Sequence, residues 1–250
     1  MGKPTAPGAP GRALEIAVQD VAGVRIAQRA GADRVELCVA LAPTGGLTPP
    51  IGLVEAAVAT GMPVHALIRT RPGGFCYDAV ELDVLVRDVR AVVRAGAAGV
   101  VIGALTLDGA VDPDAVRALV EAAGGAGVTF HRALDVVADP RAALDRLAAL
   151  GVSRVLTSGG ATRSIDGRDA LADLAVHARG RVEVMAGGGV RVQDIGALFA
   201  AGVDAVHLSA RRAVRDPGAA GPGGGSGGYD VTDEATVRAA VAAVAAVVHR

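Results

Sequence analysis

The 250-residue sequence has no tryptophan, and aromatic residues make up only 2% of it. Its core therefore has to be tiled with small branched side chains rather than stacked rings, which suits a parallel sheet covered by helices. Cysteine is nearly absent: Cys38 and Cys76 are too few for a disulfide framework. Neither sign of charge is in excess, since Lys plus Arg total 25 against 26 for Asp plus Glu, a formal net charge of -1. Without a basic field there is little to draw in a nucleic acid. Long hydrophobic runs are missing as well. Stretches such as Val241 to Val248 fall far short of the ~20 apolar residues a membrane span needs. Met1 to Arg12 is rich in Pro and Gly but lacks the apolar run of a signal peptide. These absences point to a cytoplasmic chain with reduced thiols and with neither a membrane nor a nucleic acid as partner.

What the sequence does hold is apolar material, 51% hydrophobic against 20% charged residues, ample for a core. From Ala13 onward one unit recurs: a Val/Ile/Leu-rich run, a loop with Gly, Pro or Asp, an Ala-rich helical stretch, then Gly-Ala or Gly-Val before the next run. Alternating strands and helices mean βαβ units and a parallel sheet. The predicted strands are Leu14 to Val18, Arg34 to Val39, Val64 to Arg69, Gly99 to Leu105, Val128 to Ala133, Arg154 to Ser158, Arg181 to Ala186 and Ala205 to Ser209. Eight such units close a barrel, and about 250 residues is the usual size for one. Gly31, Gly96, Gly151 and Gly202 read as helix C-terminal stops, while Asp112-Pro113 and Asp139-Pro140 read as an N-cap with Pro at the first helical position. The expected organisation is a disordered leader over residues 1–12 and a barrel over 13–250. A Gly-rich linker at about 217–228 precedes the last helix, Asp233 to Val248.

A doubly wound open sheet is the competing architecture, and it normally carries a Gly-rich phosphate turn after its first strand. Here Val18-Gln19-Asp20-Val21 occupies that turn. The Gly cluster instead follows the seventh strand, as Gly187-Gly188-Gly189, with Ser209 after the eighth. Loops after strands seven and eight are the usual phosphate site of a (β/α)8 TIM barrel, the fold class expected here.

Side chains alternate between the faces of a strand, so the aliphatic set meets the helices and its partner set fills the lumen. With Leu14, Ile16, Val18, Val35, Leu37 and Val39 outward, Glu15, Ala17, Glu36 and Cys38 point inward. The same parity directs His65, Arg69, Thr129, His131, Ser158, Met185, Gly187, His207 and Ser209 into the barrel. A core built only for stability would use Val, Ile and Leu, because a buried carboxylate without partners is costly. Glu36 and Arg69 lie on neighbouring strands and could satisfy each other, and His131 could act as acid or base near neutral pH. The loop from Arg69 to Phe75 adds a second cation, Arg71, which suits a carboxylate or phosphate. Each of these features also has a structural reading: a paired group for a single lumen Glu or His, a solvated loop for Arg69 to Phe75, and a tight turn for Gly187 to Gly189.

At this point the motifs resemble the CutC family of copper homeostasis proteins over Leu14 to Arg211. They are Gly31-Ala32-Asp33-Arg34-Val35-Glu36-Leu37-Cys38, Gly45-Gly46-Leu47-Thr48-Pro49, Thr129-Phe130-His131-Arg132-Ala133-Leu134-Asp135, Arg154-Val155-Leu156-Thr157-Ser158-Gly159 and Met185-Ala186-Gly187-Gly188-Gly189-Val190. The resemblance implies a cytoplasmic (β/α)8 barrel linked to copper tolerance and binding Cu(I) through cysteines. Ala17 and Val18 stand where relatives often carry Cys, and the family's Arg-Pro-Arg-Gly-Gly-Asp-Phe loop appears without its Asp. Cu(I) prefers thiolate and thioether ligands with imidazole in support. Cys38 is then the first metal candidate and His207 a second, with Cys76 and Met185 elsewhere and no closely spaced motif among them.

Two functions stand side by side. One is copper homeostasis through Cu(I) binding. The other is an enzyme acting on a small anionic or phosphorylated metabolite by acid/base chemistry, with a non-catalytic binding barrel as a third form. In the enzyme Glu36 and His131 form the acid/base pair and Arg69 and Arg71 hold the anion. Gly188, Gly189 and Ser209 bind phosphate, with Glu15, Asp135 and Ser158 also placed against the ligand. The expected partners are a small anionic ligand or a copper ion, with a homodimer left open.

Overall fold

The computed structural model describes residues 12–218 and 227–248. Eight parallel strands close a barrel in chain order: β1 (Ala13–Val18), β2 (Arg34–Leu37), β3 (Val64–Leu67), β4 (Gly99–Ile102), β5 (Gly127–Phe130), β6 (Arg154–Thr157), β7 (Glu183–Gly187) and β8 (Ala205–Leu208). The register couples Glu15 to Arg34 on one side and to His207 on the other, and Glu36 to both Ala17 and His65. Around the barrel run α1 (Val21–Ala30), a short α2 (Leu41–Thr44), α3 (Ile51–Val58), α4 (Ala79–Arg94), α5 (Pro113–Ala123), α6 (Pro140–Ala149), α7 (Arg168–Ala178), α8 (Ile195–Ala200) and α9 (Glu234–Val248).

Local chemistry sets these boundaries. Asp112 and Asp139 each accept from two backbone N–H groups of the helix they open, with proline in the first turn. Gly31, Gly96, Gly151 and Gly202 all have left-handed φ, between 85° and 96°, the backbone that stops a helix at the cost of a Cβ clash in any other residue. Strands β2 to β6 and β8 end earlier than the predicted runs because their C-terminal residues leave the ladder to build the mouth. Val39, for example, pairs antiparallel with Leu47 outside the barrel sheet. After β5, His131 still donates its N–H to Ile102 at 2.8 Å, and then a 3-10 helix, Arg132–Val136, turns the chain across the top.

Leu14, Ile16, Val18, Val35 and Leu37 join one continuous apolar layer between sheet and helices, as the alternation requires. Fully burying each Val, Leu or Ile is worth about 1.5–3 kcal/mol, so this layer holds the barrel together. The lumen is different: two small apolar plugs, Cys38 with Leu67 and Val101, and Leu156 with Met185 and Ala205, flank a polar centre.

Two strands outside the barrel, β9 (Arg211–Arg215) and β10 (Gly228–Thr232), form an antiparallel pair before α9. The predicted linker at 217–228 thus already re-enters a strand at Gly228, because Gly228 pairs with Arg215. Residues 219–226 of that linker, and the predicted leader apart from Arg12, lie outside the described residues.

Candidate functional site

The C-terminal mouth opens into a cavity of about 540 Å³ walled by residues from six of the eight strand ends and the loops after them. Glu36, Arg69, His131, Asp135, Gly188, Gly189, His207 and Ser209 all line it, so the fold brings together most of the residues singled out from the sequence. Phe75, Arg132 and Arg211 join them.

One wall is a buried charge relay. Glu15, fully buried, receives Arg34 Nε on one carboxylate oxygen at 2.6 Å, and its other oxygen lies 2.8 Å from His207 Nδ1. Burial pushes the Glu15 carboxyl up, yet the hydrogen bond from His207 and the charge of Arg34 overcome this and hold it well below the usual carboxylate range. With Glu15 ionised, His207 carries its proton on Nδ1 and turns Nε2 away from the relay. Burial pulls the His207 imidazole down, but the Glu15 hydrogen bond and the charges of Glu36 and Glu15 raise it above its ordinary value. Glu36 lies beside this pair, and ligand atoms of Glu15, Glu36 and His207 come within 4.8 Å of one another. Burial, reinforced by the Glu15 charge and opposed by His207, pushes the Glu36 carboxyl up to about 7. Glu36 and His207 are thus both raised, Glu36 by its own burial and His207 by the carboxylates around it.

The wall after β3 and β5 carries Arg69 and His131. Arg69 sits over the Phe75 ring at 5.3 Å, and Phe75 packs against the His131 ring with centroids 4.7 Å apart. His131 occupies space that only glycine leaves: a Cβ on Gly103 would stand 2.1 Å from His131 Cε1. Its Nδ1 accepts from the Ala133 N–H at 3.1 Å, which fixes the hydrogen on Nε2. Burial and the nearby Arg69 charge pull this imidazole down to about 3, so His131 is neutral at physiological pH. The expectation of His131 as a titrating acid or base is corrected accordingly: it is a fixed donor.

Glu36 and Arg69 do not satisfy each other as expected. The Arg69 guanidinium is spent on loop carbonyls, with Nη1 donating to Thr44 at 2.6 Å and Gly46 at 3.2 Å and Nη2 to Gly73 at 2.8 Å. Among the described residues, Glu36 Oε2, Arg69 Nε and His131 Nε2 are buried without a hydrogen-bond partner. In a finished core such atoms are paired.

Four other candidates move. Arg71 is not on the cavity: it pairs with Glu81 and donates to the Cys76 carbonyl at 2.8 Å, because Glu81 closes the capping box that starts α4. Ser158 is fully buried, its hydroxyl shared between Asp135 at 3.0 Å and the Ala161 carbonyl at 2.5 Å. Asp135 reaches the wall but is saturated by Ser158, Gly160 and Thr157 and by Arg132 Nε at 2.7 Å. It and Ser158 hold Arg132 rather than a ligand. Glu15 lies beneath the cavity as the support of His207.

The metal candidates separate too. Cys38 is fully buried, packed with Leu67 and Val101, and lies outside the Glu15, Glu36 and His207 group. Burial and the Glu36 charge push its thiol up, away from the thiolate a soft metal needs. Met185 Sδ accepts from Arg34 at 3.2 Å, and the Cys76 thiol donates to the Thr106 carbonyl at 3.1 Å.

The residues missed from the sequence are Arg34, Arg132 and Arg154. Parity would have shown Arg34, two positions before Glu36 on the same face. Arg154 is likewise drawn inward, donating to Glu183 at 2.7 Å and Thr129 at 3.2 Å. Nothing local marks Arg132. It crosses the mouth because Gly188, at φ +112°, leaves the space: a Cβ there would lie 2.9 Å from Arg132 Cζ.

Residues 12–212 match the model of the CutC family. The family protein CutC of Agrobacterium fabrum is 42% identical over 229 residues, spanning 90% of this chain and 91% of its own. The corresponding protein of Xanthomonas campestris pv. campestris is 45% identical over 200 residues, 79% of this chain and 83% of its own. A solved structure described as the copper homeostasis protein CutC from Streptococcus agalactiae superposes with a TM-score of 0.75 at 30% identity, covering 78% of this chain and 97% of that one.

Proposed function

Because this chain belongs to the CutC family, we propose that it serves the copper homeostasis by which its Streptococcus agalactiae relative is described, and that it does so as a barrel enzyme working on a small anionic metabolite. The observation that carries the enzymatic reading is the trio of unpartnered buried atoms, Glu36 Oε2, Arg69 Nε and His131 Nε2, on residues that wall one cavity. An acceptor and two donors left open in one cavity call for a polar ligand to complete them. Arg132 at the rim and the Gly188, Gly189 and Ser209 turns supply the surroundings an anion requires. Two free thiols and no helix long and apolar enough to cross a membrane among the described residues are compatible with a cytoplasmic setting.

A second reading, direct copper binding, is favoured by one observation, the approach of Glu15, Glu36 and His207 to within 4.8 Å. Two carboxylates and an imidazole form a hard to borderline donor set that suits Cu(II) or Zn(II). A Cu(I) site built on Cys38 does not fit, since Cys38 is buried as a thiol and among the described residues no second sulfur packs with it.

Two titrations separate the readings. A thermal-shift screen of small carboxylates and sugar phosphates is expected to return at least one compound that raises Tm in the parent. No shift with any member would overturn the metabolite reading. In parallel, copper titration against a competing chelator is expected to be indifferent to Cys38→Ser. If His207→Ala and Glu36→Gln both weaken copper at least tenfold, the second reading takes over.

A further inference from the structure

We infer that the mouth is built to draw a proton from a carbon next to a carbonyl group, with Glu36 as the base and the N–H groups of Arg69 Nε and His131 Nε2 as the cradle for the resulting enolate oxygen. This rests on the metabolite reading above and narrows its substrate to small anionic carbonyl compounds.

The argument begins with the direction of each open valence. His131 can only donate from Nε2, because its Nδ1 is occupied by the Ala133 N–H at 3.1 Å. Arg69 can only donate from Nε, and its other nitrogens are tied to Thr44, Gly46 and Gly73. Both unused donors belong to one wall, joined through Phe75, which touches the His131 ring and lies under the Arg69 guanidinium. A group that accepts from two donors and itself gains negative charge as it reacts is an oxygen becoming an oxyanion. A neutral imidazole suits that role, because it gives a hydrogen bond without giving up its proton, and burial beside Arg69 keeps His131 neutral.

In the same cavity Glu36 Oε2 is the one unpartnered acceptor of the trio, on a side chain more than nine-tenths buried. Behind it, the Arg34–Glu15–His207 relay keeps a neighbouring imidazole in place. In the step, Glu36 takes the proton, the C–H electron pair becomes the enolate C=C bond, and the carbonyl π pair moves onto the oxygen held by Arg69 and His131. Return of the proton to the same or the adjacent atom regenerates the carboxylate. Nothing is oxidised or reduced and no co-reactant is consumed. Apolar Leu67, Leu156 and Leu208 on the cavity wall limit water around the enolate.

The test is hydrogen exchange. The full chain is incubated in D2O with pyruvate, 2-oxoglutarate or dihydroxyacetone phosphate, and loss of the C–H signal next to the carbonyl is followed by proton NMR. Binding of the same probes is followed by thermal shift. Exchange above the buffer rate with at least one probe is expected. It should fall at least a hundredfold in Glu36→Gln and by 10²–10³ in His131→Asn. Probe binding in both variants should stay within about tenfold, since uncharged groups of similar size replace the originals, and a circular dichroism melt confirms that each variant is folded. Binding without exchange for every probe overturns the enolisation while leaving the small-anion reading in place. Neither binding nor exchange sinks both. Exchange that survives Glu36→Gln removes Glu36 as the base.

Discussion

His207 Nδ1 and Glu15 Oε1 lie 2.8 Å apart, and the same carboxylate takes the Arg34 guanidinium at 2.6 Å on its other oxygen. Glu15 is thus the middle of a buried relay that fixes the tautomer of an imidazole at the mouth. Glu15→Gln keeps the shape but leaves Arg34 buried without a counter-charge. The expected loss is about 3–5 kcal/mol in chemical denaturation, the usual cost of removing one member of a buried pair. A loss below about 1 kcal/mol would show that the relay is not a structural necessity.

Gly103 and His131 test close packing at the site. The alanine methyl of Gly103→Ala would stand 2.1 Å from the His131 ring, so the ring must swing out of its place. Overpacking of this kind costs about 1–3 kcal/mol, and His131 should lose its alignment with any ligand oxygen. A crystal structure of the variant is expected to show a rotated His131, together with a loss of hydrogen exchange of about 10²–10³, as for His131→Asn.

Stability should rise with pH through the mildly acidic range. The folded state holds His65 down at about 4, through burial and the nearby Arg154 and Arg34 charges, and His131 down at about 3, both from an ordinary 6.5. A depressed group contributes stability that is present above 6.5 and lost as pH falls, because the unfolded chain binds the proton first. Glu36 works the other way. Raised from 4.5 to about 7, it contributes stability present below 4.5 and lost as pH rises through 7. Between about pH 4.5 and 6 the two histidines outweigh the one carboxyl, each group bringing up to about 1.4 kcal/mol per pH unit. Melting temperature measured across that window should therefore fall on acidification, more steeply in Glu36→Gln and less steeply in His131→Asn. A parent protein equally stable at pH 4.5 and 6 contradicts this balance.

Asp139 offers a control outside the cavity wall. Its side chain accepts from the N–H groups of Arg141 and Ala142, at 3.1 and 3.0 Å, at the start of α6. Asp139→Ala should cost about 1 kcal/mol through loss of the cap. Ligand binding at the mouth should be unchanged, which separates general destabilisation from damage to the site.

The parts of this molecule that follow a period were legible in the sequence. Alternation along β1 and β2 put Leu14, Ile16, Val35 and Leu37 outside and Glu15 and Glu36 inside. The four helix-ending glycines were legible because a left-handed residue leaves few alternatives to Gly. Partnerships were not legible. Arg69 and Glu36 sit on adjacent strands, yet Arg69 turns to three loop carbonyls whose positions depend on how the chain folds over α2 and the following turn. Arg71 looked like a ligand-binding cation because its loop is short of other features, and Glu81, ten residues on, was needed to see it as part of a helix start. His131 was read from its ordinary titration range, which the enclosing Phe75, Arg69 and Gly103 remove.

A barrel that closes on itself has no free sheet edge, so among the described residues the unpaired edges belong to β9 and β10. That ribbon is largely exposed and carries Arg211, Arg212 and Arg215 along one strand, with Asp230 on the other pairing to Arg211 at 2.6 Å. Guanidinium groups on an open strand make it a poor template for a second chain, since stacking two copies in register would bring like charges together. The arginine row is therefore expected to disfavour edge-to-edge pairing of two copies at high concentration.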